Sequence, residues 1–198
     1  MNHTLAYYQQ NAEAFVENTV HADFHEVADR FLCYLHCGEF ILDFGCGSGR
    51  DTKYFMEHGF LVDAIDGSEE LCRYASFNTS ISVKCMLFHE LEEYEKYDGI
   101  WACASILHVS KTELPDIFRK MIRSLKQDGI IYTSFKYGDF EGERSGRYFS
   151  DFTEESFSEF MLQFSELHII EKWISSDVRP ERGDEKWLNL ILRKTTLN

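Results

Sequence analysis

The chain is 198 residues long, 44% hydrophobic and 15% aromatic, enough for one well-filled core and short for two domains. Its formal net charge of -14 repels phosphate backbones, which argues against nucleic acid and anionic membrane surfaces as bulk partners. No apolar run approaches the ~18 residues of a membrane span, and Met1 to Tyr8 lacks the basic and apolar regions of a signal peptide, so a cytoplasmic protein is expected.

Residues 5 to 36 read as helical, because Phe15, Phe24, Val27, Phe31, Leu32 and Leu35 recur near the helical period. His21 and His25 are four apart beside Asp23 and Glu26, but no further ligand follows at zincin spacing; the reading is a solvated helix face and no metal. Phe40 to Phe44 is an apolar strand that empties into Gly45-Cys46-Gly47-Ser48-Gly49-Arg50, and Asp51 to His58 reads as a helix closed by Gly59. A strand that hands over to a helix through glycines is where open α/β sheets bind nucleotides. The dinucleotide fingerprint needs a glycine at position 50, which is Arg50, so the pyrophosphate reading weakens. A second strand, Phe60 to Asp66, ends in an acid 17 residues past Gly49, where a carboxylate can accept both hydroxyls of a ribose.

Apolar strands at 40 to 44, 60 to 65, 81 to 88, 98 to 104 and 129 to 135 alternate with helical stretches, which predicts a parallel, doubly wound sheet. Ser110 and Glu113 have capping-box spacing before a helix whose buried face is Leu114, Ile117, Phe118, Met121, Ile122 and Leu125, with Pro115 in its first turn. Lys136 to Ser150 has no apolar period and reads as a lid or mobile loop. Phe152 to Phe164 returns to helix, and 167 to 174 and 187 to 192 read as two final strands. The six cysteines, at 33, 37, 46, 72, 85 and 103, form no C-x-x-C pair and read as thiols, with Cys46 and Cys103 more consistent with packing than with nucleophiles.

Together, Ile41 to Arg50, Asp66-Gly67-Ser68 and the stretch Tyr97 to Val109 resemble a class I S-adenosylmethionine-dependent methyltransferase, of the small bacterial type labelled type 11 or 12 or tellurite-resistance-related. The resemblance implies a Rossmann-like, seven-stranded, mostly parallel α/β sheet with an antiparallel last strand and helices on both faces. It implies one domain over 1–198, made of a helical cap (1–36), a cofactor-binding βαβ core (40–135), and a lid loop, helix and final two strands (136–198). The implied cofactor is S-adenosyl-L-methionine, leaving as S-adenosyl-L-homocysteine.

Carried onto this chain, the resemblance sets the backbone of Gly45, Cys46, Gly47 and Gly49 against the methionine end of the cofactor, with Asp43 under that loop. Asp66, followed by Gly67 and Ser68, holds the ribose, Phe88 and His89 flank the adenine, and Ala102, Ala104 and Ser105 lie beneath the sulfur. Tyr7 and Tyr8 close over the cofactor or belong to the core. Arg50 pairs with the cofactor carboxylate or sits on the surface of the first helical turn.

His108 follows the fourth strand, and its ordinary pKa suits proton removal near neutrality; it is the candidate general base, although similar families also use a histidine here for contacts. Lys136, Tyr137, Arg144, Arg147, Arg179 and Arg182 are expected to gather on the same face, which favours a small anionic acceptor. The alternative is a charge-balanced loop, since Glu141, Glu143, Asp177, Glu181, Asp184 and Glu185 are interleaved. The only prolines, Pro115 and Pro180, cannot form the Pro-Pro-aromatic or Pro-Cys signatures of nucleic-acid methyltransferases. Walker A, G-x-S-x-G and H-E-x-x-H are missing. The function expected is methyl transfer to a small molecule, with the acceptor atom and oligomeric state open. Its rivals are an NAD(P)-binding oxidoreductase and a cofactor-binding sensor or partner protein without catalysis.

Overall fold

The computed structural model describes residues 3–179 and 182–195. Seven strands form one sheet: β1 (Phe40–Phe44), β2 (Leu61–Asp66), β3 (Lys84–Cys85), β4 (Tyr97–Ala102), β5 (Leu125–Lys136), β8 (Leu167–Ser176) and β9 (Lys186–Lys194). Their spatial order is β3-β2-β1-β4-β5-β9-β8. The first five are parallel, and β9 enters antiparallel between β5 and β8. Strand order reverses between β1 and β4, so the crevice at the carboxyl ends of these two strands is the topological switch point, where such sheets bind ligands.

Because β1 is covered on both faces, consecutive side chains go to different cores. Leu42 and Phe44 join Ile100, Phe118 and Phe135 beneath α6 (Leu114–Ser124) and α7 (Glu154–Met161). Ile41 joins Phe55, Trp101 and Tyr132 beneath α3 (His25–Leu32) and α4 (Arg50–Glu57). A smaller cluster of Ala64, Cys72 and Ala75 seats α5 (Glu69–Thr79). Among the described residues, no helix is long and apolar enough to cross a membrane.

Four local expectations are corrected. The helical stretch 5 to 36 is three helices: α1 (His3–Gln10), α2 (Ala12–Thr19) and α3. The first break falls at Asn11, whose side-chain amide donates to the Tyr7 carbonyl in competition with helix continuation. The strand expected over 81 to 88 shrinks to β3 at the sheet edge, because Glu90 accepts from the Leu87 amide and turns Phe88–Glu90 into a 3-10 turn.

Lys136 to Ser150 is not an irregular loop: β6 (Glu141–Arg144) and β7 (Arg147–Ser150) form a hairpin. Its two-residue turn, Ser145-Gly146, has φ of 52° and 76°, the primed geometry that matches strand twist. Finally, Ser110 and Glu113 do not make a capping box. The Ser110 hydroxyl bonds the Glu113 carboxylate, and α6 starts after Glu113 with no side-chain cap.

Candidate functional site

The loop between β1 and α4 turns its hydrogen-bond donors inward. The Gly45 and Cys46 amides donate to the Ile65 carbonyl at 3.0 and 2.9 Å, Gly47 to Asp66 Oδ2 at 3.0 Å, and Gly49 to Cys46 at 2.9 Å. Glycine is required at position 45: φ is +93°, and a Cβ there would lie 2.5 Å from that of Ser105. With these donors committed, the loop is not a phosphate cradle, which works by pointing amides at the ligand.

Three aspartates stand around the loop. Asp43 is buried and accepts from the Thr52 hydroxyl at 2.5 Å. Burial, with the Asp51 charge adding, pushes its carboxyl up to about 8. Asp51 accepts the Arg50 fork at 2.6 and 2.8 Å and the Trp101 indole N–H at 2.8 Å. Asp66 accepts from the Gly47 and Ser68 amides; burial raises its pKa, and those two amides oppose the rise. Against these three carboxyl groups the loop sets the Arg50 guanidinium, already gripped by Asp51, so the setting favours a cation. Arg50 lies 4.5 Å from the Phe24 ring centroid and bonds the Thr19 carbonyl at 3.3 Å, which places it in a partly buried lock rather than on the surface.

A cleft of about 1330 Å³ opens over this loop. Single drug-sized ligands occupy roughly 300 to 1,000 Å³, so two small molecules fit. Gly45, Cys46, Gly47, Arg50, Asp66, Gly67, Phe88, His89, Ala104, Ser105, Tyr8 and His108 line it. Asp43, Gly49, Ser68 and Ala102 do not: they stand behind its wall as supports. Ser68 caps α5 by accepting from Leu71 and donates to Gln9 of α1 at 3.0 Å. Ala102 is fully buried in the sheet. Ala104 adopts a left-handed φ of 48°, held by its amide bonding the Ser134 hydroxyl at 2.9 Å, and the Ser105 hydroxyl donates to the Phe44 carbonyl at 2.6 Å. Helices α1 and α2 cover the loop closely: a Cβ on Gly67 would lie 2.6 Å from Leu5, and one on Gly47 would lie 3.0 Å from Phe15.

The roof joins α1 to the β6–β7 hairpin through His108. Its Nδ1 lies 2.6 Å from the Tyr148 carbonyl, which can only accept, so Nδ1 carries the proton. Nε2 therefore accepts from the Tyr8 hydroxyl at 2.8 Å. Burial, with Arg147 and Arg144 adding, lowers the His108 pKa to about 4 against the opposing Tyr148 bond, so the ring is neutral near pH 7. Of the hairpin partners, Arg147 was expected on the basic face, but Tyr148 and the hairpin that carries both escaped the sequence reading; the Ser145-Gly146 dipeptide was the one signal for it.

The expected basic face does form, but internal pairs neutralise most of it. Lys136 contacts Asp177 and Glu185, Arg144 grips Asp151 at 2.9 and 2.8 Å, and Arg179 grips Asp177 at 2.8 and 2.7 Å. Arg182 stands 4.0 Å from Glu185, while Pro180 and Glu181 lie outside the described residues. His25, expected with His21 on a solvated helix face, stacks on Tyr54 at 4.7 Å. Among the described residues there is no cluster of three or more candidate metal ligands.

Residues 41–129 match the family described as Methyltransferase domain. The chain is 29% identical over 143 residues to YqeM of Bacillus subtilis (strain 168), which bears a methyltransferase name, over 67% of this chain and 58% of that protein. Three further curated relatives with methyltransferase names are covered over 33%, 48% and 40% of their lengths, so the chain spans about a third to six tenths of the relatives it matches. The N-methyltransferase NodS from Bradyrhizobium japonicum WM9, solved with S-adenosyl-L-homocysteine, shares the fold at a TM-score of 0.78 and 16% identity, over 98% of this chain and 100% of that one. The Burkholderia thailandensis 1,6-didemethyltoxoflavin-N1-methyltransferase gives 0.74 at 21% identity, over 96% and 85%. The inward-turned glycine loop lies within the matched segment, and around it the chain has the sheet and fold of solved methyltransferases, so residues 41–129 are similar to a methyltransferase domain set in a methyltransferase-like fold.

Proposed function

We propose that the protein transfers the methyl group of S-adenosylmethionine to a small molecule, acting in the cytoplasm as one domain over residues 1–198. The observation that carries this reading is the glycine loop: its amides at 45, 46, 47 and 49 are committed to Ile65, Asp66 and Cys46, and carboxylates surround it. That chemistry suits a ligand bearing ammonium and sulfonium charges and disfavours the pyrophosphate of a nicotinamide dinucleotide. The neighbour from Burkholderia thailandensis, a 1,6-didemethyltoxoflavin-N1-methyltransferase solved with 1,6-didemethyltoxoflavin and S-adenosylhomocysteine bound, supports a small-molecule acceptor.

When bound, S-adenosylmethionine supplies an electrophilic methyl group on a positively charged sulfur. Asp66 accepts from the ribose hydroxyls while its two backbone donors fix its plane. Phe88 and His89 border the adenine, and Gly45, Cys46, Gly47 and Arg50 surround the methionine portion. Asp43 and Gly49 hold the loop, and Ala104 and Ser105 floor the place where the acceptor meets the methyl. His108 positions rather than removes a proton, because its Nε2 lone pair is taken up by Tyr8 and its charged form is disfavoured. Rate then comes mainly from alignment of donor and acceptor.

Calorimetry with S-adenosylhomocysteine and with NAD tests the cofactor, and saturable binding of NAD without S-adenosylhomocysteine would overturn the reading. Release of S-adenosylhomocysteine across a metabolite panel tests turnover. Tight binding with no release from any acceptor would instead favour a sensor.

A further inference from the structure

We propose that Arg147 is the acceptor's anion receptor, so that the molecule methylated carries a carboxylate that docks on this guanidinium between Tyr7, Tyr8 and Phe149. The proposal rests on the methyltransferase reading above and adds the substrate class.

Five arginines line the cleft: Arg50, Arg144, Arg147, Arg179 and Arg182. Four face carboxylates, on Asp51, Asp151, Asp177 and Glu185 respectively. Arg147 makes no ion pair among the described residues. Its hydrogen bond is a long one, from Nη1 to the Tyr8 hydroxyl at 3.4 Å, and its Nε is buried with no partner. Burying a guanidinium donor unmatched is costly, and the cost is recovered when an anion arrives.

The hairpin makes the position more demanding still. Arg144 and Arg147 are directly opposed across β6 and β7, an arrangement in which like charges repel. Asp151 compensates Arg144, and no carboxylate among the described residues pairs with Arg147. Its guanidinium is nonetheless held in place, 4.7 Å from the Tyr7 ring centroid and 5.3 Å from that of Phe149. Beside it, Tyr8 and His108 are both neutral near pH 7, so neither of these neighbours pairs with its charge. A planar fork between aromatic walls suits a planar two-oxygen partner on a small molecule.

The test uses the full chain loaded with S-adenosylhomocysteine and a panel of small carboxylic acids, each paired with its primary amide, with methyl phosphate as an added probe. Binding is read by calorimetry and thermal shift on wild type, Arg147→Met and Arg147→Lys. At least one carboxylate is expected to bind wild type while its amide does not, to lose about tenfold or more in affinity in Arg147→Met, and to lose less in Arg147→Lys. Affinity for S-adenosylhomocysteine should stay within about twofold in both variants, which separates a local effect from misfolding. Equal binding of acids and amides, no carboxylate binding anywhere in the panel, unchanged carboxylate binding in Arg147→Met, or preference for methyl phosphate overturns the assignment. Failure of wild type to bind S-adenosylhomocysteine sinks the methyltransferase reading itself, a distinguishable result.

Discussion

The Tyr8 hydroxyl donates to Nε2 of His108 across 2.8 Å, linking residues 100 positions apart in sequence. This bond is the point where α1, the turn after β4 and the hairpin meet, because the opposite side of the same ring donates to Tyr148. It converts a histidine that looks like a base into a clasp that closes one side of the cleft. Thr4 reinforces the clasp by accepting from the Tyr148 amide at 2.9 Å.

Replacing Tyr8 with Phe removes the donor and leaves a buried imidazole nitrogen unmatched, at a cost of about 1 to 3 kcal/mol. The loss should concentrate on α1. Hydrogen exchange at residues 3–10 is expected to rise while the amides of β1 and β4 keep their protection. Uniform acceleration over the whole sheet would show that the bond supports the global fold and not the roof.

The same ring gives stability a definite pH dependence. The His108 pKa falls from 6.5 unfolded to about 4 folded, so between these values the unfolded chain binds a proton that the native state refuses. Stability is therefore lost as pH drops from about 6.5 towards 4, by about 3 kcal/mol at most. Thermal melts of wild type and His108→Gln across this range isolate the contribution, and the two should converge near pH 7 in slope. Parallel melting curves throughout would mean that the imidazole titrates normally.

What the sequence revealed and what it concealed follow from how far apart the interacting groups lie. The β1 to α4 unit was legible because a strand buried on both faces reads as an apolar run, and because glycines at 45, 47 and 49 have few other reasons to alternate. Asp66 was legible from its distance to that loop. The hairpin was hidden because its alternate positions are charged: Arg144 and Arg147 line the cleft, so period-two hydrophobicity never appears. Ala104 carries no sign of its left-handed backbone, since Ser134, thirty residues on, holds it there. Arg50 was ambiguous because its partners include a neighbour, Asp51, and a carbonyl at Thr19 that only folding brings near.

Two glycines separate strain from crowding. Gly38 has φ of +91° with nothing within 4 Å of an added Cβ, so Gly38→Ala should cost about 1 to 2 kcal/mol from backbone strain alone. Gly45→Ala adds a contact at 2.5 Å with Ser105, an overpacking cost of typically 1 to 3 kcal/mol more. Chemical denaturation should rank them in that order, and Gly45→Ala alone should weaken S-adenosylhomocysteine binding. Equal stability losses would contradict the close approach of loop and floor.

Asp66 serves both the ribose and the loop, so its removal should act twice. Asp66→Ala is expected to weaken S-adenosylhomocysteine binding by about 1 to 3 kcal/mol, the cost of leaving polar partners unmatched. It also strips the Gly47 and Ser68 amides of their acceptor. Calorimetry on Asp66→Asn and Asp66→Ala reads the first effect, and thermal unfolding of the free protein reads the second. Unaltered affinity in both variants would remove Asp66 from the cofactor site.

Asp43 predicts a proton released on binding. Its carboxyl is pushed up to about 8 by burial and by Asp51, so near neutrality the free protein holds it protonated. In the folded state this proton is stabilising: the contribution is complete below the unfolded value of 3.8 and is lost as pH rises through about 8. Asp43→Asn should therefore show a flatter stability profile across that interval than wild type. A ligand that brings a sulfonium and an ammonium to the loop favours the ionised carboxylate, so S-adenosylmethionine binding at pH 7 should expel a proton and tighten as pH approaches 8. Titrations in two buffers of different ionisation enthalpy measure that proton directly, and Asp43→Asn should abolish it. If wild type and the variant give the same heat in both buffers, Asp43 keeps one protonation state through binding and the predicted proton release is wrong.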